Sequence, residues 1–328
     1  MYERNVGHCV KTTHVKEVTI KSIEPAFNSD NLEIVKFNEV AWQVLSQKDL
    51  HEIGEKVTYI PPECVLPFEL SEELQVTSYL SKGRVKAIML RGNRSEGLIA
   101  DTNKVKPYLD FILQWEDPPT IAFSGSPMRN ADVPQDFQRF YKMPNLLNEP
   151  DIFSEKDVVL ISEKIHGTNV RFGMLRHPET NEYQLYVGSH NVTLKETDDN
   201  TYWRVVRRFV PDENAMPNDV IFYGEIYGLG IQKMAYNEPE PTLKIFAAML
   251  HGEYLAHNLV ISECKKLNLP VVNYYGAEFI SVDHMRDYAE QNSEHYNGFR
   301  EGIVITKATE PSIMAKLKSF QYLERFTK

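Results

Sequence analysis

The chain has 328 residues, 42% hydrophobic and 25% charged, the composition of an ordinary globular protein long enough for two domains with separate cores. Its net charge of -10 speaks against a protein that coats nucleic acid through bulk electrostatics, and leaves room for a local basic groove. No stretch approaches the roughly 18 apolar residues of a membrane span, and the N-terminal segment has no apolar run, so a cytoplasmic or nuclear location is expected.

Cys9, Cys64 and Cys264 lie far apart, with no C-x-x-C pair, and read as reduced thiols. The histidines form no H-E-x-x-H string, so any metal is expected on oxygen ligands.

In chain order, short strands are predicted at 14–23, 32–37, 41–44, 56–60 and 85–90, broken by Phe27-Asn28-Ser29-Asp30, Pro61-Pro62 and Gly92-Asn93. This spacing fits a five-stranded OB-like barrel, although periodicity does not separate that barrel from other small ones. Pro118-Pro119, Ser124-Gly125-Ser126-Pro127 and Pro134 then interrupt any regular pattern, as a linker would. The expected boundary lies near 125, giving domains 1–125 and 126–328. Strand patterns return from 157 and alternate with a helix at 201–209, so the fold class is α+β.

Residues 158–165 read as a mostly buried strand, and Val170, Phe172 and Met174 alternate on the next, leaving His166-Gly167-Thr168-Asn169 as the turn. Lys164 therefore ends a strand beside a tight turn, where an amine can be held rigidly against a phosphate. Taken alone, K-x-x-G describes an ordinary lysine at a hairpin edge equally well.

The longer string Glu163-Lys164-Ile165-His166-Gly167-Thr168-Asn169 is more specific. It resembles motif I of phage-type RNA ligases, the branch of the covalent nucleotidyltransferase superfamily in which the K-x-D-G of DNA ligases and capping enzymes becomes K-x-H-G-T-N. Further strings follow in the family's order. Phe222-Tyr223-Gly224-Glu225-Ile226-Tyr227-Gly228 is similar to motif III, and Leu243-Lys244-Ile245-Phe246 to motif IIIa. Arg300-Glu301-Gly302-Ile303-Val304-Ile305 is similar to motif IV, and Ala315-Lys316-Leu317-Lys318 to motif V. Each alone is also a plain core or edge strand, with Phe246 as simple packing.

The resemblance implies an adenylyltransferase domain of antiparallel sheets with flanking helices, using ATP and Mg²⁺ or Mn²⁺. Lys164 would attack the ATP α-phosphate, which requires a neutral amine. Glu225 would bind the ribose hydroxyls, Phe246 would stack on adenine, and Glu301 would help hold the metal. Strand alternation puts Lys316 and Lys318 on one face, where two ammonium groups suit a triphosphate. Lys164, Glu301, Lys316 and Lys318 form the implied catalytic set, and Glu163, Ile165, His166, Asn169 and His190 complete the nucleotide site. His190 stands where many relatives carry a motif Ia arginine, so either it does that work or another arginine is recruited.

Phe140-Tyr141-Lys142 is similar to the aromatic and basic segment ahead of motif I in these ligases. Only positions 319–328 follow Lys318, so no C-terminal OB or helical domain is expected. That order resembles a branch with an N-terminal OB domain. The implied activity is sealing of RNA with 3′-OH and 5′-phosphate ends, in nicked duplex, by a monomer. A DNA ligase or capping-type enzyme, or a non-catalytic RNA-binding protein with a decayed fold, are the alternatives. Arg204, Arg207 and Arg208, and the cluster Arg84, Lys86, Arg91 and Arg94, are candidates for backbone contacts, each equally readable as solvated.

Overall fold

The computed structural model describes residues 9–12, 14–115 and 126–326. Pro118-Pro119, Ser124-Gly125 and the expected boundary at 125 lie outside the described residues.

The N-terminal part contains strands β1 (Cys9–Lys11), β2 (Lys16–Pro25), β3 (Leu32–Phe37), β4 (Gln43–Gln47), β5 (Lys56–Ile60), β6 (Cys64–Val65), β7 (Ala87–Leu90), β8 (Asn93–Glu96), β9 (Leu98–Ala100) and β10 (Leu113–Trp115). Helices α1 (Phe68–Glu73) and α2 (Thr102–Val105) lie among them. Five strands form one antiparallel sheet in the order β4-β3-β2-β5-β9. Alternation turns Val18, Ile20, Val35, Phe37, Val44, Val57 and Tyr59 to its inside. The free edge at β4 is met by β8, where Leu45 N–H donates to Ser95 Oγ at 3.0 Å and the Gln43 side chain to Arg94 O at 3.0 Å. Because β8 leads through Gly97 into β9, one run of chain spans both edges and nearly closes a barrel.

Strands 32–37 and 56–60 match their predicted bounds. The predicted strand at 85–90 does not join the barrel: Ala87–Leu90 pairs with Asn93–Glu96 as a hairpin, and the fifth barrel strand is Leu98–Ala100. Three residues are too few for an alternation to show in sequence. The proposed basic cluster is also divided, since Arg84 is buried over Trp115 beside Glu63, and Arg94 lies over Phe320.

The remaining chain forms two antiparallel sheets. The six-stranded one has the order β14-β13-β12-β15-β16-β17, from β12 (Thr168–Arg176), β13 (Tyr183–Ser189), β14 (Thr193–Leu194), β15 (Val220–Tyr227), β16 (Thr242–Leu250) and β17 (Glu253–Tyr254). The four-stranded one has the order β18-β11-β19-β20, from β11 (Val158–Lys164), β18 (Tyr275–Glu278), β19 (Gly302–Lys307) and β20 (Met314–Lys318). Helices α3 (Thr201–Phe209) and α4 (His257–Lys266) cover one face of the larger sheet, through Trp203, Val206, Val260 and Cys264. α3 starts where Asn200 Oδ1 accepts from the Tyr202 and Trp203 N–H groups, an N-cap. Two of its arginines are in ion pairs, Arg207 with Glu196 and Glu213 and Arg208 with Glu240, while Arg204 donates to Thr201 Oγ1.

Helix α5 (Val282–Ala289) packs on β19 and β20 of the smaller sheet, and α6 (Phe320–Phe326) packs against β7. One hydrophobic cluster joins Val159, Ile161, Ile303, Met285 and Leu323 to the barrel residues Val18, Trp42 and Tyr59. Two polar ties reinforce it: Arg286 of α5 pairs with buried Glu96 and donates to Ala41 O, and Trp42 Nε1 donates to Asn148 Oδ1 at 2.6 Å. Cys64 and Cys264 are buried and Cys9 half-buried, all as free thiols. Among the described residues no helix is long and apolar enough to cross a membrane.

Candidate active site

Lys164 is the last residue of β11, where the chain leaves the smaller sheet, and β12 begins in the larger sheet four residues later. The two strands therefore do not pair as a hairpin; the turn between them bridges two sheets. The crossing is tight. A Cβ on Gly167 would lie 2.2 Å from Ile226 O and 2.9 Å from Glu225 Cγ, so only glycine passes there. β12 pairs with β15 so that Asn169 stands opposite Glu225, and β11 pairs with β19 so that Lys164 stands opposite Gly302, beside Glu301.

Two cavities meet at Lys164. The first, about 290 Å³, is lined by Glu163, Lys164, Ile165, Asn169, His190, Glu225, Phe246 and Lys316. The second, about 430 Å³, lies toward the barrel and is lined by Lys164, His166, Glu301, Lys316 and Lys318, together with Glu63 and Trp42. Every site residue named from the sequence lines one or the other, and Lys164 and Lys316 line both.

Phe246 reaches the first cavity through a β-bulge. The β15–β16 register runs Tyr223 to Ala247 and then Gly224 to Ile245, leaving Phe246 as the extra residue. A bulge re-aims a side chain, and here Phe246 and Ala247 both face the cavity while Ile245 stays in the core. The Phe140 ring supports Phe246 edge-on at 5.0 Å.

Lys164 Nζ lies 2.9 Å from Glu301 Oε1, and His166 Nδ1 lies 3.4 Å from Glu301 Oε2. Burial alone would raise the Glu301 pKa, but the Lys164 ammonium, His166 and Lys318 outweigh it and hold the carboxyl well below the usual range. Burial, with the Glu301 charge beside it, pushes Glu225 up to about 8. Burial and the Lys164 and Lys318 charges push Lys316 down to about 8. Lys316 and Lys318 share one side of β20, with Leu317 in the core between them.

Glu163 is committed to the fold on one side: its carboxylate accepts from Ser293 Oγ at 2.7 Å and from the Glu294 N–H at 2.8 Å. The His166 N–H donates to Tyr236 Oη at 2.6 Å. Sequence reasoning missed Tyr236, Ser293 and Glu63, because no motif string contains them and only tertiary folding brings them to motif I and motif V.

Among the described residues no three carboxylate, histidine or cysteine groups cluster as a complete metal cage. Glu301 Oε2 is buried, with His166 Nδ1 as its neighbour at 3.4 Å. A single buried, ionised carboxylate beside a cavity lined by lysines fits a hard cation whose other ligands come from bound phosphates and water.

The fold is shared with solved structures of Naegleria gruberi RNA ligase. The form with PPi is 18% identical with a TM-score of 0.79, covering 95% of this chain and 98% of that one. A glutamate-to-alanine variant with ATP and Mn is 18% identical with a TM-score of 0.81, and a lysine-to-alanine variant with ATP and Mn is 19% identical with a TM-score of 0.79, both at the same coverage. No curated protein sequence matches the chain. Residues 157–318, from one residue before β11 to Lys318, match the family model described as RNA ligase.

Proposed function

We propose that the protein is an ATP-dependent RNA ligase that seals 3′-OH and 5′-phosphate ends in nicked duplex RNA through a lysyl-AMP intermediate. The observation that carries this reading is the position of Lys164 between two cavities of complementary chemistry. On one side stand Phe246 and Glu225, which suit a base and a ribose. On the other stand Lys316 and Lys318, which suit phosphates.

In the first step Lys164 Nζ attacks the α-phosphorus of ATP; the N–P bond forms, the bond to the bridging oxygen breaks, and pyrophosphate leaves. Phe246 and Glu225 hold the nucleoside, so the attack is effectively intramolecular. Lys316 and Lys318 neutralise the departing pyrophosphate. The amine must be neutral to attack, and its ion pair with Glu301 has to be relaxed first. A divalent cation held by Glu301 would supply positive charge that favours the neutral amine and neutralises phosphate oxygens. In the second step an oxygen of the RNA 5′-phosphate attacks the lysyl-AMP phosphorus and frees Lys164. In the third, the RNA 3′-OH attacks the 5′-phosphate phosphorus and expels AMP.

We further read residues 1–125 as an OB domain and 126–328 as the nucleotidyltransferase domain. The barrel order β4-β3-β2-β5-β9, with β8 against β4, supports this, being that of a five-stranded Greek-key barrel. The barrel's task would be to hold the nucleic acid as a monomer, in the branch whose OB domain precedes the catalytic one.

Incubation with radiolabelled ATP and Mg²⁺ or Mn²⁺, followed by nicked RNA and DNA duplexes, tests the reading. About one acid-labile AMP per chain is expected, as for a single nucleophile, with none in Lys164→Ala. Labelling that survives in Lys164→Ala refutes it.

A further inference from the structure

A third cavity, about 390 Å³, lies behind the turn that carries His190. Its walls include Arg171, Arg139, Asn130, Asn191, Thr193 and Phe137. Arg171 is 3% exposed. Its Nη1 donates to Ser189 O at 2.7 Å and to His190 O at 2.9 Å, and its Nη2 to Thr193 Oγ1 at 3.4 Å. Its Nε is buried and makes no hydrogen bond. The guanidinium lies 4.7 Å from the centre of the Phe137 ring, and Gly188 packs against both, where a Cβ would come 3.3 Å from Phe137 Cε1 and 3.4 Å from Arg171 Cζ.

No described carboxylate pairs with this guanidinium. The charge that acts on it is a second cation, Arg139, and the nearby Asp132 is held by Arg129. Burial pushes the Arg171 pKa down to about 10, so the group is still charged at neutral pH. A buried cation without a counter-ion costs several kcal/mol unless an anion completes it, and a second arginine on the same wall adds to that cost. Asparagine amides, a threonine hydroxyl and a free guanidinium N–H are the donors that a phosphate takes.

The turn that Arg171 holds by its carbonyls carries His190, which lines the nucleotide cavity, so one turn stands between that cavity and this one. We propose that this third cavity binds a backbone phosphate of the RNA substrate, with Arg171 and Arg139 as its cations. The inference rests on the RNA ligase reading above and extends it to the path of the strand beyond the nucleotide.

The test measures anisotropy of a labelled nicked RNA duplex with the full chain over a salt series, beside lysyl-AMP formation, which needs no RNA. Arg139→Ala and Arg139→Glu change an exposed side chain and spare the fold. They are expected to weaken RNA binding about 5-fold and more than 10-fold, and to lower the slope of log K against log salt by about one for the lost phosphate contact, with lysyl-AMP formation retained. Arg171→Lys, which keeps the charge but loses the fork, is expected to weaken RNA binding as well. Unchanged RNA affinity and salt slope in both Arg139 variants overturn the proposal. So does saturation of the wild-type site by inorganic phosphate that leaves RNA affinity untouched, which would mark a free-phosphate site. Wild-type protein that binds RNA but forms no lysyl-AMP would refute the ligase reading and leave the RNA result to be judged separately.

Discussion

Glu63 and Lys318 join the barrel side of the molecule to the end of motif V: Lys318 Nζ donates to both Glu63 carboxylate oxygens, at 3.1 and 3.0 Å. Glu63 sits in the left-handed backbone region, φ 71°, with its N–H bonded to Val85 O and its C=O to the Trp115 N–H. The carboxylate is therefore held in place, and it meets the lysine where a triphosphate would. Glu63→Gln removes a competing anion, and the KM for ATP in lysyl-AMP formation should fall about 3- to 5-fold, the size of a partly exposed ion pair near 1 kcal/mol. An unchanged or raised KM, with unchanged melting temperature, would show that Glu63 assists the nucleotide instead.

The depressed pKa of Lys316 gives the free site a pH dependence. Its ammonium is present below about 8 and lost above, whereas a bound triphosphate would favour the charged form and raise the pKa again. ATP affinity should therefore be level below pH 8, weaken by at most tenfold per unit above it, and be accompanied by proton uptake between pH 8 and 9. Isothermal titration in buffers of different ionisation enthalpy measures that uptake. Glu225 ionises over the same range, so Lys316→Arg, which stays charged, should abolish the Lys316 share of the effect and leave the rest.

Phe246 is half-buried and lines the first cavity at a bulge, so its removal should cost nucleotide binding more than folding. Phe246→Ala should weaken ATP by about 1–3 kcal/mol, the usual worth of a base stacked on an aromatic ring, while Phe246→Tyr should stay within a few-fold. Equal effects of Phe246→Ala on ATP and on GTP would be expected of stacking; a loss confined to stability would assign the ring to the core.

Glu96 is 1% exposed and pairs with Arg286 across the junction between barrel and smaller sheet. Arg286→Ala leaves that carboxylate buried and unpaired, and should lower stability by about 3–5 kcal/mol in urea or thermal unfolding. The same junction bears on separating the parts. A fragment beginning near residue 126 exposes the barrel-facing side of the cluster around Val159, Ile161 and Ile303, and should be poorly soluble or molten by circular dichroism. A fragment that folds and forms lysyl-AMP at the full rate would show the junction to be dispensable.

The sequence by itself located the candidate site. The order of Lys164, Glu225, Phe246, Glu301, Lys316 and Lys318 is a property of short strings, and alternation alone put Lys316 and Lys318 on one face, because side-chain direction in a strand repeats every two residues. It also located four of the five barrel strands, two of them at their observed bounds. What only the tertiary structure decided has a long-range cause. That β11 and β12 belong to different sheets depends on their partners β19 and β15, far along the chain. The fifth barrel strand is too short to carry a pattern, and it exists because β5 accepts it. The Phe246 bulge is a mismatch between two strands and so cannot be seen in either one alone. Glu63, Glu96 and Arg171 have ordinary neighbours in sequence. Their roles arise from burial and from partners up to 255 positions away, where the cost of a buried charge is settled by what folding brings beside it.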